Sequence, residues 1–305
     1  MFTKNKHCVI IKAIKNAQRK KMKKSTEIGS ISKICGEEKA IEYVAKAGFD
    51  AWDFSMFSMF IWDWANLCPK DNEHPLKNDD YIKFAKKLKR VADDNGIICN
   101  QSHAPFPTDA NGVSKYLYRS IECTAEVGGE ICVIHPHAFA NPKQNAEFYN
   151  KLLPFAKEHG VKIATENMWD WDRVKNQACF AACATAKDFN DVLDEVNDEY
   201  LVACLDIGHA EMRGNDTSAY QMIKALDKRL KALHIHDNDC HHDSHQIPFS
   251  MNIDFKAVAT ALKEINYSGY LTLEADAYIK IYDQTNVLDG VKKMKESLDK
   301  LEELM

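Results

Sequence analysis

The chain has 305 residues, 45% of them hydrophobic, with 40 Lys and Arg against 45 Asp and Glu for a formal charge of −5. This is globular composition, and it excludes collagen-like, fibrous and wholly disordered chains. No apolar stretch approaches the roughly 18 residues of a membrane span, and the length suffices for one large domain or two ordinary ones.

Residues 1–24 stand apart. They carry nine of the positive charges, eight Lys and Arg19, with no Asp or Glu, so residues 25–305 carry −14. Such an arm suits a nucleic-acid or membrane-surface tail, or an amphipathic targeting segment. The other reading is an upstream extension, disordered or a non-native start, ahead of a natural start at Met22. It makes a poor secretory signal, because Lys12 interrupts the short run Cys8-Val9-Ile10-Ile11. The acidic body argues against nucleic acid as a partner, since such binding neutralises phosphates. Ten scattered cysteines without a CxxC pair read as reduced, mostly buried thiols of a cytoplasmic protein.

From Ser25 onward, short apolar runs alternate with longer amphipathic stretches. The runs predict strands at Glu27–Ser32, Phe49–Ser55, Ile97–His103, Ile131–His135, Val161–Glu166, Leu201–Asp206, Leu230–His236 and Tyr270–Glu274. Helical patterns fall at Glu37–Ala47, Tyr81–Asn95, Val113–Val127, Ala146–His159, Ala186–Val196, Ala219–Leu226, Phe255–Ile265 and Val287–Leu304. Gly48, Gly96, Gly160 and Gly269 mark joins between a helix and the next strand. Eight units of about 35 residues over 25–305 predict parallel right-handed crossovers and a single-domain α/β fold, the (β/α)8 TIM barrel. A doubly wound open sheet is the competitor. The Gly-rich first turn that would mark it is absent, and Ser30-Ile31-Ser32-Lys33-Ile34-Cys35-Gly36 stands there instead.

Metal-competent residues recur where the strands end. These are His103 on the third, His135 on the fourth, Glu166 on the fifth, Asp206 and His209 at the sixth, His234 and His236 on the seventh, and Glu274 on the eighth. The loop after the seventh adds Asp243 and His245. One histidine at a strand end is ordinarily a hydrogen-bonded structural residue. Six consecutive strands ending alike point to chemistry, because in a barrel those ends converge on the active face. Charges gathered there need mutual compensation or a bound ion. Carboxylates among imidazoles form a mixed N/O ligand set suited to Zn, Mn, Fe or Co. The aromatic segment Met56–Trp64, which includes Trp62, follows the second strand. It is either a lid that excludes water or a buried patch or subunit contact. Trp169 and Trp171 either flank substrate or pack in the core.

The ordered motifs Ser102-His103-Ala104-Pro105, His135-Pro136, Glu166-Asn167, Asp206-Ile207-Gly208-His209-Ala210, His234-Ile235-His236-Asp237 and Glu274 resemble the xylose-isomerase-like TIM-barrel superfamily. That superfamily comprises sugar (phosphate) isomerases and epimerases and the endonuclease IV type of AP endonuclease. The resemblance covers about residues 25–280 and, in the single-metal epimerases, implies Glu166, Asp206, His234 and Glu274 as ligands of a divalent Mn, Zn, Mg or Co ion. His236 competes for the seventh-strand position, since it lies on the same face two residues on. The endonuclease IV pattern of nine ligands for three zincs implies His103, His135, Glu166, Asp206, His209, His234, Asp243, His245 and Glu274, and so more than one metal. Two departures stand beside these. Ketose 3-epimerases carry an Arg shortly after the seventh-strand His, and Asp237-Asn238-Asp239-Cys240-His241-His242 has none. The longer ligand signatures of endonuclease IV are also not evident.

The resemblance implies a metal-dependent isomerase or epimerase of a small sugar or sugar phosphate, working through a metal-stabilised enediolate. Glu166 and Glu274 would exchange protons with carbon, while His103 and His209 orient hydroxyls. A multinuclear zinc phosphodiesterase of the endonuclease IV type is the alternative. A homo-oligomer is compatible with either, and no membrane partner is expected. Asp237 has two readings, backing a histidine or satisfying backbone donors.

Overall fold

Apolar alternation builds seven of the barrel strands, and a polar tetrapeptide supplies the other. The computed structural model describes residues 21–305, so residues 1–20, and with them most of the basic arm, lie outside the described residues. The strands are β1 Lys23–Thr26, β2 Ala51–Ser55, β3 Ile98–His103, β4 Ile131–Val133, β5 Lys162–Glu166, β6 Leu201–Asp206, β7 Leu230–His234 and β8 Tyr270–Leu273. From β2 through β3, β4, β5 and β6 to β7 they form one parallel sheet, and β1 pairs in parallel with β8. Single bridges from Glu27 to Asp53 and from Ile235 to Leu273 join the two pieces into a closed ring. Closure leaves none of the free edges that an open doubly wound sheet would have.

Eight helices alternate with the strands. They are α1 Glu37–Lys46, α2 Tyr81–Asp94, α3 Ser114–Glu126, α4 Pro142–Glu158, α5 Ala186–Val196, α6 Ala219–Leu226, α7 Phe255–Glu264 and α8 Val287–Leu304. Their apolar stripes and the outward strand faces make the main core, which includes Trp52, Phe54, Phe189, Phe255 and Leu298. α4 begins at Pro142, earlier than the predicted Ala146, because Asn141 and Gln144 form a reciprocal capping box there. Among the described residues no helix is long and apolar enough to cross a membrane. No described cysteine is in a disulfide, and five of the nine are buried.

The first unit departs from the sequence expectation. The predicted strand Glu27–Ser32 is largely a short helix, Gly29–Cys35, and β1 lies four residues earlier. β1 reads Lys-Lys-Ser-Thr and so lacks the apolar signal that marks the other strands. From Lys24 to Thr26 its side chains are buried all the same. The Ser25 hydroxyl donates to Asn100 Oδ1 at 2.5 Å, and Lys24 pairs with Asp299 of α8 at 2.9 Å and with Glu302. Lys23 and Lys24, two of the charges grouped with the arm, are therefore structural parts of the barrel.

Two layers inside the ring position the site. Val133, Ala164, Val202, Cys204 and Ala232 form a small apolar cluster. Strand alternation puts side chains two residues apart on one face, so Ala164, Cys204 and Ala232 lead directly to Glu166, Asp206 and His234. Beside this cluster runs a polar chain. Asn100 Nδ2 donates to Thr272 Oγ1 (3.1 Å), Thr272 Oγ1 to Gln101 Oε1 (3.1 Å), and Gln101 Nε2 to Asp53 Oδ2 (2.9 Å). It ends beneath His234.

Candidate metal centre and active site

Side chains from β3 to β8 converge at the C-terminal mouth of the ring, around a cavity of about 340 Å³. Glu166, Asp206, His234 and Glu274 present ligand atoms that all lie within 4.8 Å of one another. Glu166 Oε1 accepts a hydrogen bond from His234 Nδ1 at 2.9 Å, and Glu274 Oε2 lies 3.4 Å from the same nitrogen. The other ring nitrogen of His234 faces Asp53 Oδ2 at 3.5 Å. Asp206 is fixed by the turn it starts. Its Oδ1 accepts the His209 N–H at 2.7 Å, while Asn167 clamps its backbone through two hydrogen bonds, of 2.8 and 2.9 Å.

Two further groupings flank this one. His103 and His135 face each other, Nε2 to Nε2, at 2.8 Å, and Glu166 Oε2 lies 3.2 Å from His135 and 3.8 Å from His103. On the other side, His209, His236, Asp243 and His245 also bring their ligand atoms within 4.8 Å of one another. His209 Nδ1 donates to the Asn167 carbonyl and His245 Nδ1 to the Glu274 carbonyl, each at 2.9 Å or less. Those bonds fix both rings so that Nε2 points at Asp243, at 3.3 and 3.1 Å. His236 Nε2 lies 3.1 Å from Asp206 and 3.4 Å from Asp243, with its ring stacked on His245. The two seventh-strand histidines thus share a strand face but serve different groupings, His234 the four-residue set and His236 the second.

Burial and neighbouring charge set the protonation of these groups. Burial would raise the Glu166 carboxyl, but His234 and His135 hold it well below the usual range. Burial dominates at Glu274, which is pushed up to about 8 against the pull of His234 and His245. For His209, burial is outweighed by Asp206 and Asp243, which raise the imidazole to about 10. His103 is driven well below its ordinary value by burial and by His135 and His234.

The donor set fits a cation. Glu166 Oε2, Asp206 Oδ2 and both ring nitrogens of His236 are buried without a hydrogen bond of acceptable geometry. Each such orphan costs about 1–3 kcal/mol, and more when charged. A divalent ion among carboxylate oxygens and imidazole nitrogens would satisfy them.

The aromatic candidates separate. Trp169 lines the cavity, with Phe57, Trp64, Phe106 and Met168. Trp62 does not. It stacks on the buried Phe60, at 5.9 Å, from the hairpin strand Ile61–Asp63, whereas Trp64 in the turn beyond reaches over to Phe106. Trp171 turns away toward His241 and His242. Asp237 backs no histidine, since its carboxylate accepts the backbone N–H groups of Ser250, Met251 and Ile253 and pins the loop after β7. Sequence reasoning missed Glu27 and Asp53. Glu27 lies just past β1 and Asp53 midway along β2, and the alternation that exposed Glu166 and Asp206 would have found Asp53 pointing inward.

Comparison with known proteins places this architecture. A model of the xylose isomerase-like TIM barrel matches residues 41–304. A relative described as uncharacterized protein MJ1311, from Methanocaldococcus jannaschii, is 24% identical over 272 residues, covering 83% of this chain and 80% of its own. An inosose dehydratase from Clostridium perfringens is 24% identical over 151 residues, 44% of this chain and 47% of its own. The solved structure of a D-tagatose 3-epimerase-like protein superposes with a TM-score of 0.67 at 21% identity, covering 92% of this chain and 99% of that one. The chain belongs to the xylose isomerase-like TIM barrel family.

Proposed function

We propose that this chain is a divalent-metal-dependent sugar isomerase or epimerase. The observation that carries the reading is the four-residue set Glu166, Asp206, His234 and Glu274, drawn from four consecutive strands, at a cavity of about 340 Å³. A cavity of this size falls at the lower end for small-molecule sites. The D-tagatose 3-epimerase-like and inosose dehydratase likenesses support a sugar as the ligand.

A divalent ion held by these four side chains supplies Lewis acidity toward a carbonyl and its neighbouring hydroxyl. The chain's own residues do the rest. Two carboxylates of the set form the acid–base pair. Glu166 takes the proton from carbon, and Glu274 returns one. His103, lining the cavity, orients a hydroxyl, His209 holds Asp243 in place at the cavity wall, and Trp169, Phe57 and Phe106 exclude water.

The second reading, a multinuclear phosphodiesterase, is favoured by the two flanking groupings, His103–His135–Glu166 and His209–His236–Asp243–His245. Metal analysis of the purified chain, with a panel of aldoses and ketoses assayed for carbon-bound deuterium uptake, separates the two. One ion per chain and exchange on a sugar are expected. Three zincs per chain, with chelator-sensitive nicking at abasic sites, would replace the first reading with the second.

The ion is expected to depend on Asp53, buried and in line behind His234. Carboxylates behind a ligating imidazole fix its tautomer and typically contribute about 10–100-fold in metal affinity. Asp53→Asn should weaken manganese binding by about that factor in a calorimetric titration, with the circular dichroism spectrum unchanged. Unchanged affinity would mean that Asp53 serves only the polar chain below.

A further inference from the structure

Glu27, just past β1, lies outside every metal-competent grouping and has no ion pair among the described residues. The residue is 4% exposed, yet it lines the cavity. Oε2 accepts the backbone N–H of Ser30 at 3.0 Å and the hydroxyl of Ser55 at 3.3 Å, and Oε1 accepts the Ser30 hydroxyl. The backbone is shaped around this group. A Cβ at Gly29 would lie 2.8 Å from Ser55 Cβ and 3.3 Å from Glu27 Oε2. A glycine there lets the chain close over the carboxylate.

One N–H and two hydroxyls converging on a point are donors that a phosphate ester would take. Here they are already committed to the chain's own anion. A carboxylate has about four lone-pair sites, so one remains for a ligand. Among the described residues Lys33 is the single Lys or Arg in the cavity lining, and it is exposed, while Asp276 adds a carboxylate on the same side as Glu27. The imidazoles of His209 and His245 are turned to Asp243. A phosphate entering beside Glu27 meets like charge with its donors spent. A neutral hydroxyl meets an open acceptor.

We propose that Glu27 makes this pocket selective for unphosphorylated sugars, holding the donors a phosphate would need and accepting a hydrogen bond from a substrate hydroxyl. This rests on the sugar reading above and narrows it to a substrate class. If Glu27 served only to tie down the segment from Gly29 to Cys35, its loss would affect free sugars and esters alike.

The test uses the manganese-loaded full chain, as wild type and as Glu27→Gln, with D-fructose, D-tagatose and L-ribulose and the terminal phosphate monoesters of the same ketoses. Deuterium uptake at carbon gives kcat/KM for each. The wild type is expected to favour the free ketose by at least about tenfold, and Glu27→Gln to narrow that ratio about tenfold. Glu27→Asp, a second variant that keeps the charge but draws it back by one methylene, should still reject esters while raising KM for the free ketose with kcat unchanged. Preference of the wild type for the ester overturns the inference alone. So does an unchanged ratio in Glu27→Gln. Exchange with none of the ketoses or esters overturns the sugar reading and this inference with it.

Discussion

Glu166→Gln is expected to lower carbon-bound proton exchange by about 10²–10⁴-fold, the usual contribution of a positioned general base. Gln is isosteric, so the barrel should fold. What changes is the charge at the centre of two groupings. Glu166 Oε1 faces His234 and Oε2 faces His135, both inside the ring at 1% exposure for the glutamate. An amide offers one weak acceptor where the carboxylate offered two charged ones, and its NH2 cannot ligate a cation. Metal affinity should therefore fall together with exchange. The two roles separate when the variant is loaded with excess manganese. If occupancy is restored and exchange stays lost, the carboxylate moves the proton. If exchange returns with occupancy, Glu166 is a ligand only. Exchange close to wild type without added metal would reject both roles.

The barrel and most of the candidate ligand set were legible because both rest on alternation. Inward positions in a strand recur every second residue, and the apolar runs that carried Ala164, Cys204 and Ala232 inward also carried Glu166, Asp206 and His234 to the rim. Three features lay outside that signal. β1 is polar on both faces, and its lysine is buried by ion pairs with a helix some 280 positions away, a contact that local pattern cannot reveal. Trp62 and Trp64 are two residues apart, and which one reaches the cavity was decided by a hairpin turn after Asp63 rather than by spacing. The choice between His234 and His236 was open because alternation puts both inside. What distinguishes them is their neighbours, Glu166 and Glu274 for His234, Asp206 and Asp243 for His236. Asp237 shows the converse. Its position beside two histidines suggested support for one of them, yet three backbone N–H groups from a loop 13 to 16 residues further on claim it.

Gly208→Ala is expected to destabilise the protein by about 1–3 kcal/mol, the usual cost of overpacking a filled interior. In a domain of this size that is a fall of about 2–5 °C in melting temperature. The reason is space rather than backbone freedom. A Cβ at 208 would lie 1.9 Å from Cε1 of His236 and 2.4–2.5 Å from its two nitrogens. The ring cannot retreat, because it is fully buried, it stacks on His245 at 4.0 Å, and Asp206 lies 3.1 Å from its Nε2. The turn cannot retreat either, since Asp206 caps it through the His209 N–H and Asn238 Nδ2 holds the Gly208 carbonyl at 3.0 Å. Something must give, and either movement misplaces a member of the second grouping, His236 or His209. The double variant Gly208→Ala/His236→Ala removes the obstruction. It should be less destabilised than the sum of the single changes by at least about 1 kcal/mol, within the range for residues in direct contact. Additive losses would show that the methyl is accommodated elsewhere and that Gly208 is not required by His236. The same cycle read by metal content tells whether the second grouping holds an ion. Loss of a second equivalent in Gly208→Ala would mean that it does, and an unchanged count of one would leave His209, His236, Asp243 and His245 as a hydrogen-bonded wall of the sugar pocket.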